Sequence, residues 1–191
     1  MTPAHFTPVP LDKSYRLMNH GPTVLVSAEH GGIINVMAAA WACVLDYGQT
    51  PKVTVVLDKA TFTRELIEAS GAFALQLPTL AMATMTLGVG SDSGRDVPDK
   101  LAKHGVRIFT APGSDLPLVE GCAGWLACRL VPEPHNQQAY DLFIGEVVGA
   151  WADARVFRDG RWHFENAPDE LRTIHHVAGG QFFVTGASVQ G

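Results

Sequence analysis

The chain has 191 residues, 47% of them apolar, and a formal net charge of -5 at pH 7, which suits one domain with a sizeable core. No run approaches 18 apolar residues, which excludes a membrane-spanning helix, and the lack of a basic tract argues against nucleic acid as a partner. Cys43, Cys122 and Cys128 match neither a disulfide framework nor the paired spacing of a zinc site. Residues 1–14 read as an extended lead-in to a single domain spanning 1–191. Met1-Thr2-Pro3-Ala4-His5-Phe6 lacks the regions of a signal peptide, so a cytoplasmic location is expected. Tyr15 to Met18 reads as a short turn.

Thr23-Val24-Leu25-Val26-Ser27-Ala28 is a strand by composition, and Ile33 to Val36 resumes extended structure after Glu29-His30-Gly31-Gly32, the pattern of a hairpin. Ala38 to Ala42 favours helix in isolation, but it lies between strand signals and reads as extended or irregular. Val53 to Leu57 is rich in β-branched residues and reads as a strand. The spacing predicts a helix over Phe62–Ala69, with Thr61 as its N-cap and Gly71 as its stop. Ala72 to Leu77 is a strand, and Thr79 to Leu87 a second helix. Gly88 to Asp96 reads as a mobile loop: its glycines miss the dinucleotide-binding spacing, and no strand leads into them. A short helix is expected over Pro98–Lys103 and a short strand over Val106–Thr110.

The second half reads mostly as β. Gly124 to Val131 is a strand, Pro132 to Gln137 a loop, and Tyr140 to Val148 a long strand, with Gly145 as a bulge or a point of close approach. Arg155–Arg158 and Arg161–Phe164 form a hairpin across Asp159-Gly160. Gln181 to Thr185 looks like a terminal strand. Many strands at short spacing, with two or three inserted helices, give a mainly β fold, expected to be a closed or nearly closed barrel. A doubly wound parallel sheet needs regular strand–helix alternation, which only the middle of the chain shows.

Two neighbouring stretches carry the chemistry. Asn35-Val36-Met37-Ala38-Ala39-Ala40-Trp41-Ala42-Cys43 is a run of small residues around an aromatic, and small side chains let a flat ligand approach the backbone. Taken alone it reads better as a buried strand with Trp41 in the core, and the flavin reading comes from its pairing with the next stretch. One strand further on, Lys59, Thr61, Thr63 and Arg64 place two cations and two hydroxyls at a helix start, where free N–H groups favour an anion. That cluster reads either as a phosphate site or as an ordinary capped helix with two solvated cations. A planar group at one end and an anion at the other describe flavin mononucleotide, FMN. Adjacent His175-His176 cannot chelate as an i, i+4 pair would, and no Gly-x-Ser-x-Gly elbow occurs.

Asn35-Val36-Met37-x-x-x-Trp41, Pro51-Lys52-Val53, Lys59-Ala60-Thr61, Ser70-Gly71-x-Phe73, Asp99-Lys100, Pro117-Leu118-Val119-Glu120, Leu142 to Val147 and Gly179-Gly180-x-Phe182 together resemble the flavin reductase-like proteins, which include the flavoredoxins. The similarity covers about residues 15–186. It implies an FMN-binding split β-barrel, usually a homodimer with the flavin near the interface. It also implies that Asn35–Cys43 runs along the flavin ring and that Lys59, Thr61, Thr63 and Arg64 hold the phosphate. Members of the family reduce flavin with NADH or NADPH, or pass electrons between proteins. Two positions depart from the pattern. Ala139-Tyr140-Asp141 stands where many reductases have Gly-Asp-His, whose His serves the nicotinamide, and His135 in the preceding loop is the candidate substitute at the substrate site. Ala38 stands where relatives often carry Thr. The expected activity is hydride transfer from NAD(P)H to flavin N5, with a small-molecule redox substrate or a redox protein as partner. The alternative is a flavoredoxin-like electron carrier without a nicotinamide site.

Overall fold

Alternation at period two sets the main sheet. In a computed structural model that describes residues 9, 10, 12, 17, 18 and 21–191, β1 (Val24–His30) sends Val24, Val26 and Ala28 to one side and Leu25 to the other. Successive side chains of a strand point to opposite faces, so one strand supplies two cores. The lead-in over 1–14 and the turn at Tyr15–Met18 fall mostly outside the described residues.

After β1 come β2 (Ile33–Ala39), β3 (Ala42–Val44), β4 (Lys52–Val56), α1 (Phe62–Ser70), β5 (Ala72–Leu77), α2 (Ala83–Ser91), α3 (Lys100–Lys103), β6 (Ile108–Phe109), β7 (Leu118–Val119), β8 (Gly124–Val131), α4 (Pro134–Tyr140), β9 (Leu142–Ala152), β10 (Phe157–Arg158), β11 (Arg161–Trp162), β12 (Ile174–Ala178) and β13 (Gln181–Val184). Seven strands form one sheet in the order β2-β1-β5-β8-β9-β4-β3, every neighbouring pair antiparallel. The sheet curls into a half-barrel. One core, with Val26, Val55, Leu57, Phe73 and Phe143, packs Leu66 and Ile67 of α1 against its inner face. A second core joins Leu25, Val36 and Val89, and so seats α2 on β1 and β2.

The mainly β architecture with inserted helices is as expected from the sequence, and three local readings are corrected. Gly88–Ser91 continues α2 instead of opening a loop: buried Val89 anchors it, and the His104 ring lies so close that a Cβ at Gly88 would sit 2.2 Å from its Nδ1. Tertiary packing overrides the low helix propensity of glycine here. Pro134–Tyr140 is a helix, not a loop followed by a strand, because a proline at the first helical position costs no hydrogen bond. The long strand therefore starts at Leu142 and runs on to Ala152. Gly145 is a point of close approach, since a Cβ there would lie 2.5 Å from Phe73 Cζ. The bulge falls at Val148 instead, between the Ala127–Gly149 and Cys128–Val147 pairs.

Candidate functional site

The chain leaves β4 through a turn that Asp58 organises. Its carbonyl accepts from Thr61 N at 2.9 Å and from the Thr61 hydroxyl at 2.7 Å. Its carboxylate accepts from Ala60 N at 2.8 Å. The Thr61 hydroxyl is thereby used, and although Thr61 holds the N-cap position of α1, no side chain caps the helix. The first-turn N–H groups of α1, with the positive end of its dipole, form a place for an anion. Lys59 is exposed beside it and makes no ion pair or hydrogen bond among the described residues.

Thr63 and Arg64 face the other way. Thr63 is fully buried and accepts a 2.8 Å hydrogen bond from Asn35 Nδ2, which ties β2 to the first turn of α1. Arg64 is 4% exposed. Its guanidinium donates to Glu68 at 2.9 Å, to the Leu57 carbonyl at 3.1 Å, to Asp141 at 2.5 Å and to the Gln137 carbonyl at 2.9 Å. It also lies 5.1 Å from the centroid of the Phe143 ring. Arg64 therefore welds the end of β4, the start of α1 and the α4–β9 junction, a buried use that suits its planar fork.

The small-residue run divides by face. Met37 and Ala39 pack into the barrel core, and Val36 and Ala38 against α2. Trp41 is 52% exposed rather than in the core, and its carbonyl accepts from Val56 N at 3.0 Å. Ala42 and Cys43 line an apolar cavity of about 540 Å³ whose wall includes Trp151 and Trp162. Ala38 and Ala40 line a second cavity of about 250 Å³, shared with Thr86 and Ser91 of α2 and with His176 and Phe182. The expected substrate residue, His135, stands on the exposed side of α4 with its ring edge-on to Tyr140 at 5.6 Å.

One participant is missing from the sequence reading. Gly94 packs so tightly that a Cβ there would lie 2.6 Å from Asn35 Oδ1 and 2.9 Å from Phe62 Cδ1. The next residue, Arg95, donates to the Ala60 carbonyl at 2.8 Å and pairs with Glu65. The segment after α2 thus clamps the Lys59 turn. The only local signal was a cation following a glycine, which fixes no partner 35 positions away.

Burial pushes the Cys122 thiol up, and that of Cys128 up to about 12, so neither is a thiolate nucleophile at neutral pH. No cluster of His, Cys, Asp and Glu among the described residues is arranged for a metal ion. No described helix is long and apolar enough to cross a membrane.

A curled antiparallel half-barrel, with an anion-ready helix start next to a run of small residues, is the architecture of a split-barrel flavoprotein fold. The chain belongs to the flavin reductase-like family, whose domain model matches residues 15–169. It is 57% identical to the FMN-binding domain of a flavin reductase-like enzyme from Shewanella baltica OS155, with a TM-score of 0.88 over 97% of this chain and 96% of that one. It is 45% identical over 189 residues to the uncharacterised protein YddH of Escherichia coli (strain K12), covering 97% of this chain and 98% of that protein. The flavoredoxin of Desulfovibrio vulgaris (Miyazaki F) shares the fold at 23% identity, with a TM-score of 0.74 over all of this chain and 96% of that one.

Proposed function

We propose that this chain binds FMN and works as an NAD(P)H-dependent flavin oxidoreductase, assembled as a homodimer. The observation that carries the reading is the start of α1, uncapped by any side chain and flanked by the uncommitted cation Lys59. A phosphate meets both needs at once. The family membership and the FMN-binding description of the Shewanella relative support it.

The residues present fit the cofactor at both ends. Lys59 and the first-turn N–H groups bind the phosphate, with Thr61 alongside. Thr63 and Arg64 shape the turn from inside through Asn35, Asp141 and two carbonyls. The run from Asn35 to Cys43 lets a flat ring reach the backbone. Bound flavin supplies the hydride-accepting centre, so the protein needs to bind, orient and exclude water rather than provide an acid–base dyad. A second copy of the chain would cover the apolar cavity and the exposed Val44, Leu45 and Tyr47 beside it.

A second reading, an electron carrier without a nicotinamide site, is favoured by one observation. Asp141, at the end of the stretch that replaces Gly-Asp-His, is tied to Arg64, and His135 faces solvent. Anaerobic addition of NADH and then NADPH to the flavin-loaded protein decides between them. Bleaching of the visible flavin band is the expected result. A band that persists with both donors but falls on addition of a reduced redox protein would overturn the reductase reading in favour of the carrier.

A further inference from the structure

The first turn of α1 carries an acid where an anion is to be received. Glu65 sits in that turn and is exposed. A carboxylate there favours the helix, because it meets the positive end of the dipole. It also repels a phosphate brought to the same end. Asp58 adds a second carboxylate, which accepts from Ala60 N at 2.8 Å. Arg64 does not offset them, since it is buried and already paired with Glu68 and Asp141. Lys59 alone would leave one cation facing two carboxylates. Arg95 supplies the second cation. Its Nη1 donates to the Ala60 carbonyl at 2.8 Å and its Nη2 to the Glu65 carboxylate. Its guanidinium also lies 5.6 Å from the centroid of the Phe62 ring, at the first residue of α1. The backbone beneath it is fixed: Arg95 N donates to Ser93 Oγ at 3.2 Å, and Gly94 leaves no room for a Cβ beside Asn35 and Phe62. Exposed ion pairs contribute little to folding, so the consequence of this one lies in the charge it sets at the helix start.

We propose that Arg95 opens the α1 start to a phosphate by cancelling Glu65, acting as a positioning residue and not as a phosphate ligand. The inference rests on the FMN reading above and adds to it a charge pair that lies outside the ligand contacts. The terminal nitrogens of Arg95 are committed to Ala60 and Glu65, whereas Lys59 makes no ion pair or hydrogen bond among the described residues. Lys59 is therefore the cation left to meet the ligand. One guanidinium spans the gap from the Ala60 carbonyl to the Glu65 carboxylate. That carboxylate therefore stands within a Debye length of the turn, roughly 8–10 Å at ordinary salt, and its charge is felt there. Two signatures follow from a charge effect of this kind. It acts on the phosphate and not on the flavin ring, and it weakens as salt rises.

The test measures the Kd for FMN and for riboflavin, which lacks the phosphate, at low and high salt. It uses the full-length parent, Arg95→Met, Glu65→Gln and the double variant. Arg95→Met should raise the FMN Kd roughly tenfold at low salt and less at high salt, with the riboflavin Kd within about twofold of the parent. Glu65→Gln should bind FMN at least as tightly as the parent. The double variant should return to within about threefold of the parent, because it removes both charges together. A double variant as weak as Arg95→Met overturns the proposal, by showing that Arg95 acts in some way other than through Glu65. Equal losses for FMN and riboflavin overturn it too, since they mark a distorted site and not a charge effect. An unchanged FMN Kd in Arg95→Met overturns the assignment and leaves the FMN reading standing. A parent protein that takes up neither flavin removes both the assignment and the reading beneath it.

Discussion

Lys59 and Thr61 on one side of the α1 start, and Thr63 and Arg64 on the other, carry the same chemistry: a cation and a hydroxyl each. Lys59 is exposed, and the Thr61 hydroxyl is spent on the carbonyl of Asp58. Thr63 and Arg64 are buried, and Arg64 answers to two carbonyls and two carboxylates. Lys59 and Thr61 lie in the turn that precedes α1, and Thr63 and Arg64 in its first turn, so neighbours in sequence end up in different environments. The difference separates a site from the scaffold that shapes it. A guanidinium committed to four protein oxygens is a structural member, while an ammonium with no described partner is available to a ligand.

Substitutions that exchange these roles test the division. Arg64→Met should have the largest effect on folding, about 3 kcal/mol, because it strands Asp141 and the Leu57 and Gln137 carbonyls; the figure sits at the low end of the range for a broken buried pair since Asp141 is partly exposed. Thermal or denaturant unfolding reads it, and a loss under 1 kcal/mol would mean that Arg64 is not the weld described. Lys59→Ala should do the reverse. Stability should stay within about 0.5 kcal/mol, while the FMN Kd rises roughly tenfold at low salt and less at high salt. Equal FMN affinity in parent and variant at all salt concentrations would move the phosphate away from this turn.

A smaller effect concerns Lys100, a third cation, buried to 2% exposure. Burial lowers its pKa from 10.5 to about 8, against the pull of Asp92. Between those values the folded chain has released the proton and the unfolded chain still holds it, so stability rises with pH in that window. Cys122 and Cys128 act in the opposite sense above their ordinary value of 9.0, which leaves pH 8 to 9 as the clean interval. Lys100→Met should be more stable than the parent at pH 7 and lack the rise. Parallel pH profiles for the two proteins would show that Lys100 keeps its proton throughout.

Much of the frame was legible in the sequence. β-branched runs marked β1 and β4, and Gly71 marked the end of α1, where it adopts φ 72°. Asp159-Gly160 marked a hairpin turn with both residues at positive φ. These signals are local, so a window of a few residues contains them. The misread pieces depend on distant partners. The glycines of α2 look like loop until His104 and Ala38 are packed on them. Pro134 looks like a breaker until the helix after it is seen. The site was legible as a cluster of residue types, but its division was not: the groups that claim Arg64 come from Gln137 and Asp141, 73 and 77 positions away, and nothing near Arg64 announces them.

That separation also has a meaning in time. A ribosome adds roughly 5–20 residues each second, so Arg64 waits some 4–15 s for the 77 residues that lead to Asp141. Over that interval β4 also lacks β9, its partner on one side, and the Arg64 guanidinium lacks two of its four acceptors. The buried side of the α1 start is therefore completed only once Gln137 and Asp141 have been made.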